Sequence, residues 1–400
     1  MESIKGTVDP HSRNYFSFFE SIIHGFESYE RILPTSAGDI NLTYFRNLAF
    51  DHGELHEIDK PVFSRKFSEF RDYESFLVET LQSLGNNISA PSRKSPLTPI
   101  ASISTGYDSP AVAVVARHAG LKQTLSIVDA RGGANDDGSE IARRLGLEPI
   151  SISRDDWRTV NRSALDVTRF IASDAKGEDV YFAPAANVLI GRVLFTGYRG
   201  SSVWRPTKDD RCDLSRTDQS GLSHTEARLH GQYLHIPLPF IGALQENDIR
   251  AIGRSCDMAP WRLGGSYDGP ICRRIVEQAG VPREFFGQEK KAASVLLFDR
   301  SSFLSPAAQE SFEGWCQEYR IGRRTSRERL ATAGNALLRA NGGKIMEFAQ
   351  QTLKLLPYAQ KLPVLGRVAK SARIIEMARF EPEFDHLFPW ALAETQKAYR

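Results

Sequence analysis

Six consecutive residues carry the clearest chemical signal in the chain: Ser104-Thr105-Gly106-Tyr107-Asp108-Ser109, between a short apolar run and a helical pattern. A tight strand-to-helix turn aims free backbone N–H groups and the positive end of a helix dipole at one point, and that point attracts phosphate. Gly106 lets a ligand approach the backbone, and the hydroxyls of Ser104, Thr105 and Ser109 add donors. Ser109 followed by Pro110 reads as an N-cap with proline in the first helical position. Asp108 is out of place in a pure anion site, but its carboxylate suits a magnesium ion that bridges phosphates. A Walker loop would need Gly-Lys-Ser/Thr at its end. A dinucleotide fingerprint would need two more glycines, although Asp129 stands where such a fold places its ribose carboxylate. The alternative is a capped helix start with no ligand.

Other residues could complete such a site. Arg273 and Arg274 carry guanidinium groups that fork onto phosphate oxygens; the alternative puts them on a solvated helix face with Ile275 and Val276 inward. Glu226 could contact a substrate or pair with Arg228 or Arg250. His224, His230 and His235 lie six and five positions apart, which is not the spacing of a helical metal pair, so no zinc site is expected. The four cysteines, Cys212, Cys256, Cys272 and Cys316, form no close pairs and read as reduced thiols.

The elements that must position these groups follow from periodicity. Apolar runs at 100–103, 124–128, 149–152 and 192–195 read as buried strands, and 111–118 and 139–145 as the helices between them. Strand, helix, strand, helix, strand implies parallel pairing and an α/β, doubly wound, mainly parallel sheet. The Pro-, Ser- and Gly-rich stretch 86–99 is linker chemistry. It divides an N-terminal region, 1–95, with aromatic residues Tyr15, Phe16, Phe18 and Phe19, from a central domain, 96–300; beyond 301 helical patterns dominate to residue 400.

The 104–109 loop resembles the Ser-Gly-Gly-x-Asp-Ser pyrophosphate loop of the PP-loop ATP pyrophosphatases. That superfamily includes GMP synthetase, tRNA-thiolating enzymes and the synthetase domain of asparagine synthetase, and the order of downstream features looks most like the last. The resemblance spans roughly 96–300 and implies an adenine nucleotide alpha hydrolase-like (HUP-type) fold with ATP and Mg²⁺ as ligands. It implies ATP contacts from Ser104, Thr105, Gly106, Asp108, Ser109 and Gly197, backbone contacts to adenine from Ile127 and Val128, and metal binding by Asp108. The acidic segment 135–142 looks like its counterpart in the family, and Lys290 or Lys291 matches a late lysine that reaches the pyrophosphate. The family's Gly-x-Gly-x-Asp-Glu motif departs here to Gly197-Tyr198-Arg199-Gly200-Ser201-Ser202, without its carboxylates.

The implied reaction is attack of a carboxyl or similar oxygen on the α-phosphorus of ATP, followed by transfer of the adenylated carbon to a nitrogen nucleophile with loss of AMP. Asp108, Lys290 and Lys291 are the implied catalytic residues. The chain starts Met1-Glu2-Ser3 and has no cysteine before Cys212, so the nucleophilic cysteine of a fused glutaminase is not expected. Ammonia, an amine or a separate donor protein would then supply nitrogen. The competing expectations are sulfur transfer, for which Cys212 is the cysteine nearest the centre of the chain, and a silent nucleotide-binding protein.

Composition narrows the partners. With 51 basic and 49 acidic side chains among 400 residues, the formal charge is +2, so no overall field points to nucleic acid or membrane. No apolar run approaches a membrane span and no secretory core precedes the first domain, so a cytoplasmic location is expected. One local exception is 352–380, where six basic side chains stand against the single acidic Glu376 and the apolar residues follow helical spacing. Such a helix could lie on an anionic membrane surface, or simply pack in the fold.

Overall fold

A computed structural model describes residues 29–35, 38–44, 46–60, 65–159, 163–174, 177–206, 221–265, 267–295, 304–321 and 386–398. Two antiparallel hairpins come first. Ile32–Thr35 (β1) pairs with Gly38–Asn41 (β2), and Asn47–Asp51 (β3) with Glu54–Ile58 (β4). After helix Phe70–Ile88 (α1) the chain builds one parallel sheet from Thr98–Ile103 (β5), Gln123–Ile127 (β6), Glu148–Ile152 (β7), Arg192–Thr196 (β8) and Leu234–Pro237 (β9). Its order is β7-β6-β5-β8-β9. The connections from β5 run one way across the sheet through β6 and β7, and the chain then returns to β8 on the other side of β5. That reversal leaves a crevice at the carboxyl ends of β5 and β8, where open α/β sheets bind ligands.

Both faces of the sheet are covered, which is why its strands read as nearly continuous apolar runs. Alternation sends Ala101, Ile103, Val193 and Phe195 to one face, where they pack with α1, with Asp108–Ala116 (α2) and with residues of the later helices. Ile100, Leu125, Ile127 and Leu194 face the other way, toward Trp157, Val167, Phe170 and Trp390. The helices on and around these faces include Ser139–Arg144 (α3), Leu165–Asp174 (α4), Gly200–Val203 (α5), His224–Gly231 (α6), Glu246–Arg254 (α7) and Pro270–Gln278 (α8). Pro306–Glu318 (α9) and Leu387–Lys397 (α10) add to the second face; Trp390 Nε1–H donates to Ser311 Oγ at 3.1 Å.

The doubly wound α/β expectation holds, and the four strands expected from apolar runs appear within two residues of their expected ends. The expected break at 95/96 has a different meaning. Helix α1 precedes it, yet Phe70, Tyr73, Leu77 and Leu81 enter the same core as α2 and α8, and Trp204 Nε1–H donates to Tyr73 Oη at 2.8 Å. The linker stretch therefore joins a helix to a strand of one packed body. Among the described residues no helix is long and apolar enough to cross a membrane. The aromatic cluster 15–19, Cys212 and the basic segment 352–380 lie outside the described residues.

Candidate functional site

The 104–109 loop is held by its own hydroxyls. Ser109 Oγ accepts the Ser104 N–H at 2.9 Å and lies 3.0 Å from Ser104 Oγ, which in turn accepts the Gly106 N–H at 3.2 Å. This changes the expected cap. Helix α2 begins at Asp108, its N-cap is Tyr107 without a side-chain bond, and Ser109 is drawn back to brace the turn. Asp108 is thus the first helical residue, where the unbonded amides of the first turn favour negative charge.

Two glycines crowd Asp108. The turn from β8 into α5 passes through Arg199 in the left-handed region (φ 70°), and it brings Gly197 and Gly200 against the carboxylate. A Cβ on Gly200 would stand 2.3 Å from Asp108 Oδ1, and one on Gly197 would stand 3.0 Å from Asp108 Cβ. Both glycines are therefore packing requirements of Asp108.

Nine of the thirteen expected site residues converge. One pocket of about 150 Å³ at the crevice is lined by Ser104, Gly106, Asp108, Ser109, Ile127, Gly197, Lys290 and Lys291, together with Asp136, Tyr181, Tyr198 and Tyr267. Thr105 borders it through Lys291 Nζ, 3.4 Å from its hydroxyl. Val128 is not on the wall. Its N–H donates to Ile152 O and its carbonyl accepts from Asp136 N–H, so its backbone serves the sheet and the acidic segment.

Burial sets the electrostatics. Asp108 is half-buried at the pocket wall, and burial pushes its carboxyl up to about 7; the Lys290 charge and the Cys272 thiol, 3.8 Å from Oδ1, oppose the rise. Asp136 is also raised, first by burial, against the pull of Thr105, which donates both its N–H (3.0 Å) and its hydroxyl (2.6 Å) to Oδ1. Lys291 Nζ donates to Asn135 O at 2.9 Å and lies 3.2 Å from Glu289. Burial drives the Cys272 thiol well above its ordinary range, so it sits protonated and is no nucleophile.

The acidic segment divides its labour. Asp136 enters the pocket. Asp137 accepts from Ser126 Oγ–H at 2.7 Å and from the Ser139 N–H at 3.0 Å, fixing the start of α3. Ser201 and Ser202 lie on α5 with no carboxylate, and the Ser202 carbonyl accepts from Arg250. The second acid of the pocket is thus Asp136, contributed from after β6. Among the described residues there is no group of three His, Cys, Asp or Glu side chains that would cage a metal. Two carboxylates nevertheless match Mg²⁺, which takes one or two from protein and the rest of its shell from phosphate and water.

The two lysines ride on a strap, residues 287–295, pinned along its length. Gly287 N–H donates to Thr105 O at 2.7 Å, Arg131 N–H to Ala292 O at 2.8 Å, and Val295 N–H to Glu178 O at 2.8 Å. Arg154 Nε–H donates to Ala293 O at 2.7 Å.

Arg273 is neither a phosphate ligand nor a solvated surface charge. It is fully buried behind the loop, donates through Nη2 to the Gly287 carbonyl, and faces Asp268 at 3.9 Å. Arg274 lies over Phe70 (4.1 Å) and Trp261 (4.6 Å), out of the pocket. Glu226 is not a pocket residue either; it pairs with His230 Nε2 at 3.2 Å on α6.

A polar network beside the pocket escaped the sequence reading. Tyr198 Oη–H donates to Asp179 Oδ1 at 2.6 Å, Ser223 Oγ–H and Gly221 N–H bond Oδ2, and Tyr181 Oη lies 2.9 Å from Tyr198 Oη. His235 Nε2 meets Thr196 Oγ1 at 2.8 Å, and His224 pairs through Nδ1 with Tyr233 Oη at 2.8 Å. The His224 and His235 rings lie 4.5 Å apart, His224 buried and His235 half-buried. Tyr198 falls inside the Gly197–Gly200 turn, and His224 and His235 are two of the three histidines the sequence set close together. Comparison with protein-family models matches none, and comparison with curated proteins likewise finds no match.

Proposed function

We propose that the chain is an ATP-dependent, AMP-forming ligase of the PP-loop type, with an adenine nucleotide alpha hydrolase-like (HUP) sheet and an asparagine synthetase-like site. The observation that carries this reading is the convergence of the 104–109 loop, Asp108, Asp136, Lys290 and Lys291 in one pocket at the switch point of a parallel sheet. The pocket's 150 Å³ is below the ~300–1,000 Å³ of sites that swallow a whole ligand. It suits the pyrophosphate end of ATP, with the nucleoside reaching outward past Ile127 along the ends of β5 and β6.

In this reading the positive end of helix α2 faces the β- and γ-phosphates, the Ser104, Thr105 and Gly106 amides being bonded within the protein and bracing the turn. A carboxyl oxygen of the substrate attacks the α-phosphorus, and the bond to pyrophosphate breaks. Lys290 and Lys291 neutralise the charge that collects on the leaving pyrophosphate. A nitrogen nucleophile then attacks the acyl carbon and AMP departs. Mg²⁺, held by Asp108 and Asp136 with phosphate oxygens, would supply further charge neutralisation. Tyr181, Tyr198 and Thr196 line the side of the pocket left for the acid substrate, their hydroxyls held by Asp179 and His235.

Magnesium-dependent exchange of labelled pyrophosphate into ATP, across a panel of carboxylic acids, tests the reading. Exchange with at least one acid, abolished by Asp108→Ala, is expected. The absence of carboxylates at Ser201 and Ser202 favours one second reading, a nucleotide-binding protein without catalysis; ATP binding with no exchange for any acid would select it. Sulfur transfer would instead show as adenylation that requires a sulfur donor and Cys212.

A further inference from the structure

A second cavity, of about 330 Å³, lies among α4, the Val180–Leu189 turns and α6. It meets the loop pocket only at Phe182, whose ring borders both. Phe170, Phe182, Leu189 and Tyr233 give it apolar and aromatic walls, and Arg169 and His230 give it a polar side.

Arg169 is the unusual member. Its Nε is buried without a hydrogen-bond partner, and an unanswered donor of a charged group is costly to leave in a fold. The neighbouring His230 is held below its ordinary titration range, first by burial and then by the Arg169 charge, although its ring also bonds Glu226. At neutral pH Arg169 therefore supplies the one full positive charge among the residues that line the cavity. Asp166, on the same helix face three residues earlier, also lines the wall and disfavours a ligand with more than one negative charge. Walls of this kind, with one guanidinium, select a ligand with a single carboxylate and an apolar body. The volume limits it to a small molecule.

We propose that this cavity is a binding site for a small monocarboxylate with an aromatic or branched apolar body, its carboxylate on Arg169 and its body against Phe170, Phe182 and Tyr233. The site is separate from the loop pocket and does not depend on what the loop binds.

The test uses the full chain with 3-phenylpropionate and 4-methylpentanoate as probes and their amides as neutral controls, followed by calorimetry and ligand-observed NMR. Saturable binding of at least one acid, with none of its amide, is expected. Arg169→Gln should weaken it roughly tenfold or more. Ala186→Trp, which fills the cavity and keeps Arg169, should abolish it while thermal unfolding shows each variant folded. Absence of binding for both acids overturns the proposal, as does binding that survives both substitutions or that the amides match.

Discussion

Asp108 pits stability against function in a way that a single substitution can expose. Burial pushes its carboxyl from an ordinary value of 3.8 up to about 7 in the folded protein. A group whose affinity for its proton rises on folding stabilises the native state while it is protonated. That stability is fully present below the unfolded value and is lost as the pH climbs through the folded one. At about 1.4 kcal/mol for each tenfold change in proton affinity, ionised Asp108 costs the fold at most about 4 kcal/mol above pH 7, and less to the extent that its half-buried carboxylate meets solvent. Asp108→Asn keeps an oxygen for the Cys272 thiol and cannot ionise. Urea unfolding of both proteins without nucleotide, from pH 5 to pH 8.5, should show the variant more stable at high pH. The gap should narrow as the pH falls toward about 4 and stay level above about 7. Parallel curves, or a variant less stable at pH 8, would refute the claim that Asp108 is a desolvated acid held in place for a ligand.

Lys290→Ala and Lys291→Ala should each weaken ATP binding about tenfold or more through loss of a phosphate-neutralising charge, read by calorimetry; unchanged affinity in both would remove the lysines from the site. Arg273→Met should cost about 3–5 kcal/mol of stability in unfolding experiments, because Asp268 and the Gly287 carbonyl lose their buried partner. Gly200→Ala places a methyl 2.3 Å from Asp108 Oδ1; it should cost about 1–3 kcal/mol and weaken Mg²⁺–ATP binding, with Ser201→Ala as a neutral neighbour.

What the sequence made legible follows from what each feature depends on. The three inner strands β5, β6 and β8 were visible because burial on both faces writes them as apolar runs; β7, at one edge, showed through the half-buried Ile150 and Ile152. The fifth, Leu234-His235-Ile236-Pro237, sits at the sheet edge, and its histidine is spoken for by Thr196, so no run marks it. The loop and Asp108 were legible because their types and spacing are local. Asp136 could be read only as one acid in a cluster, since which of Asp136 and Asp137 turns inward depends on where Ser126 and Ser139 capture the other. Arg273 misled because the burial of an arginine is decided by the carbonyl and carboxylate that meet it, here from the strap and from Asp268. The Asp179 network was invisible for the same reason: Tyr181, Tyr198 and Ser223 come together only when β8 and α6 are in place.

The central claim is that the crevice at the ends of β5 and β8 takes the phosphates of ATP through the loop and Asp108. Calorimetric titration of Mg²⁺–ATP into the wild type and Asp108→Asn at pH 8, where the variant is expected to be the more stable protein, tests it most directly. The account predicts saturable binding by the wild type and binding about tenfold or more weaker in the variant. Equal affinity in the two proteins, or no binding by the wild type, would contradict it.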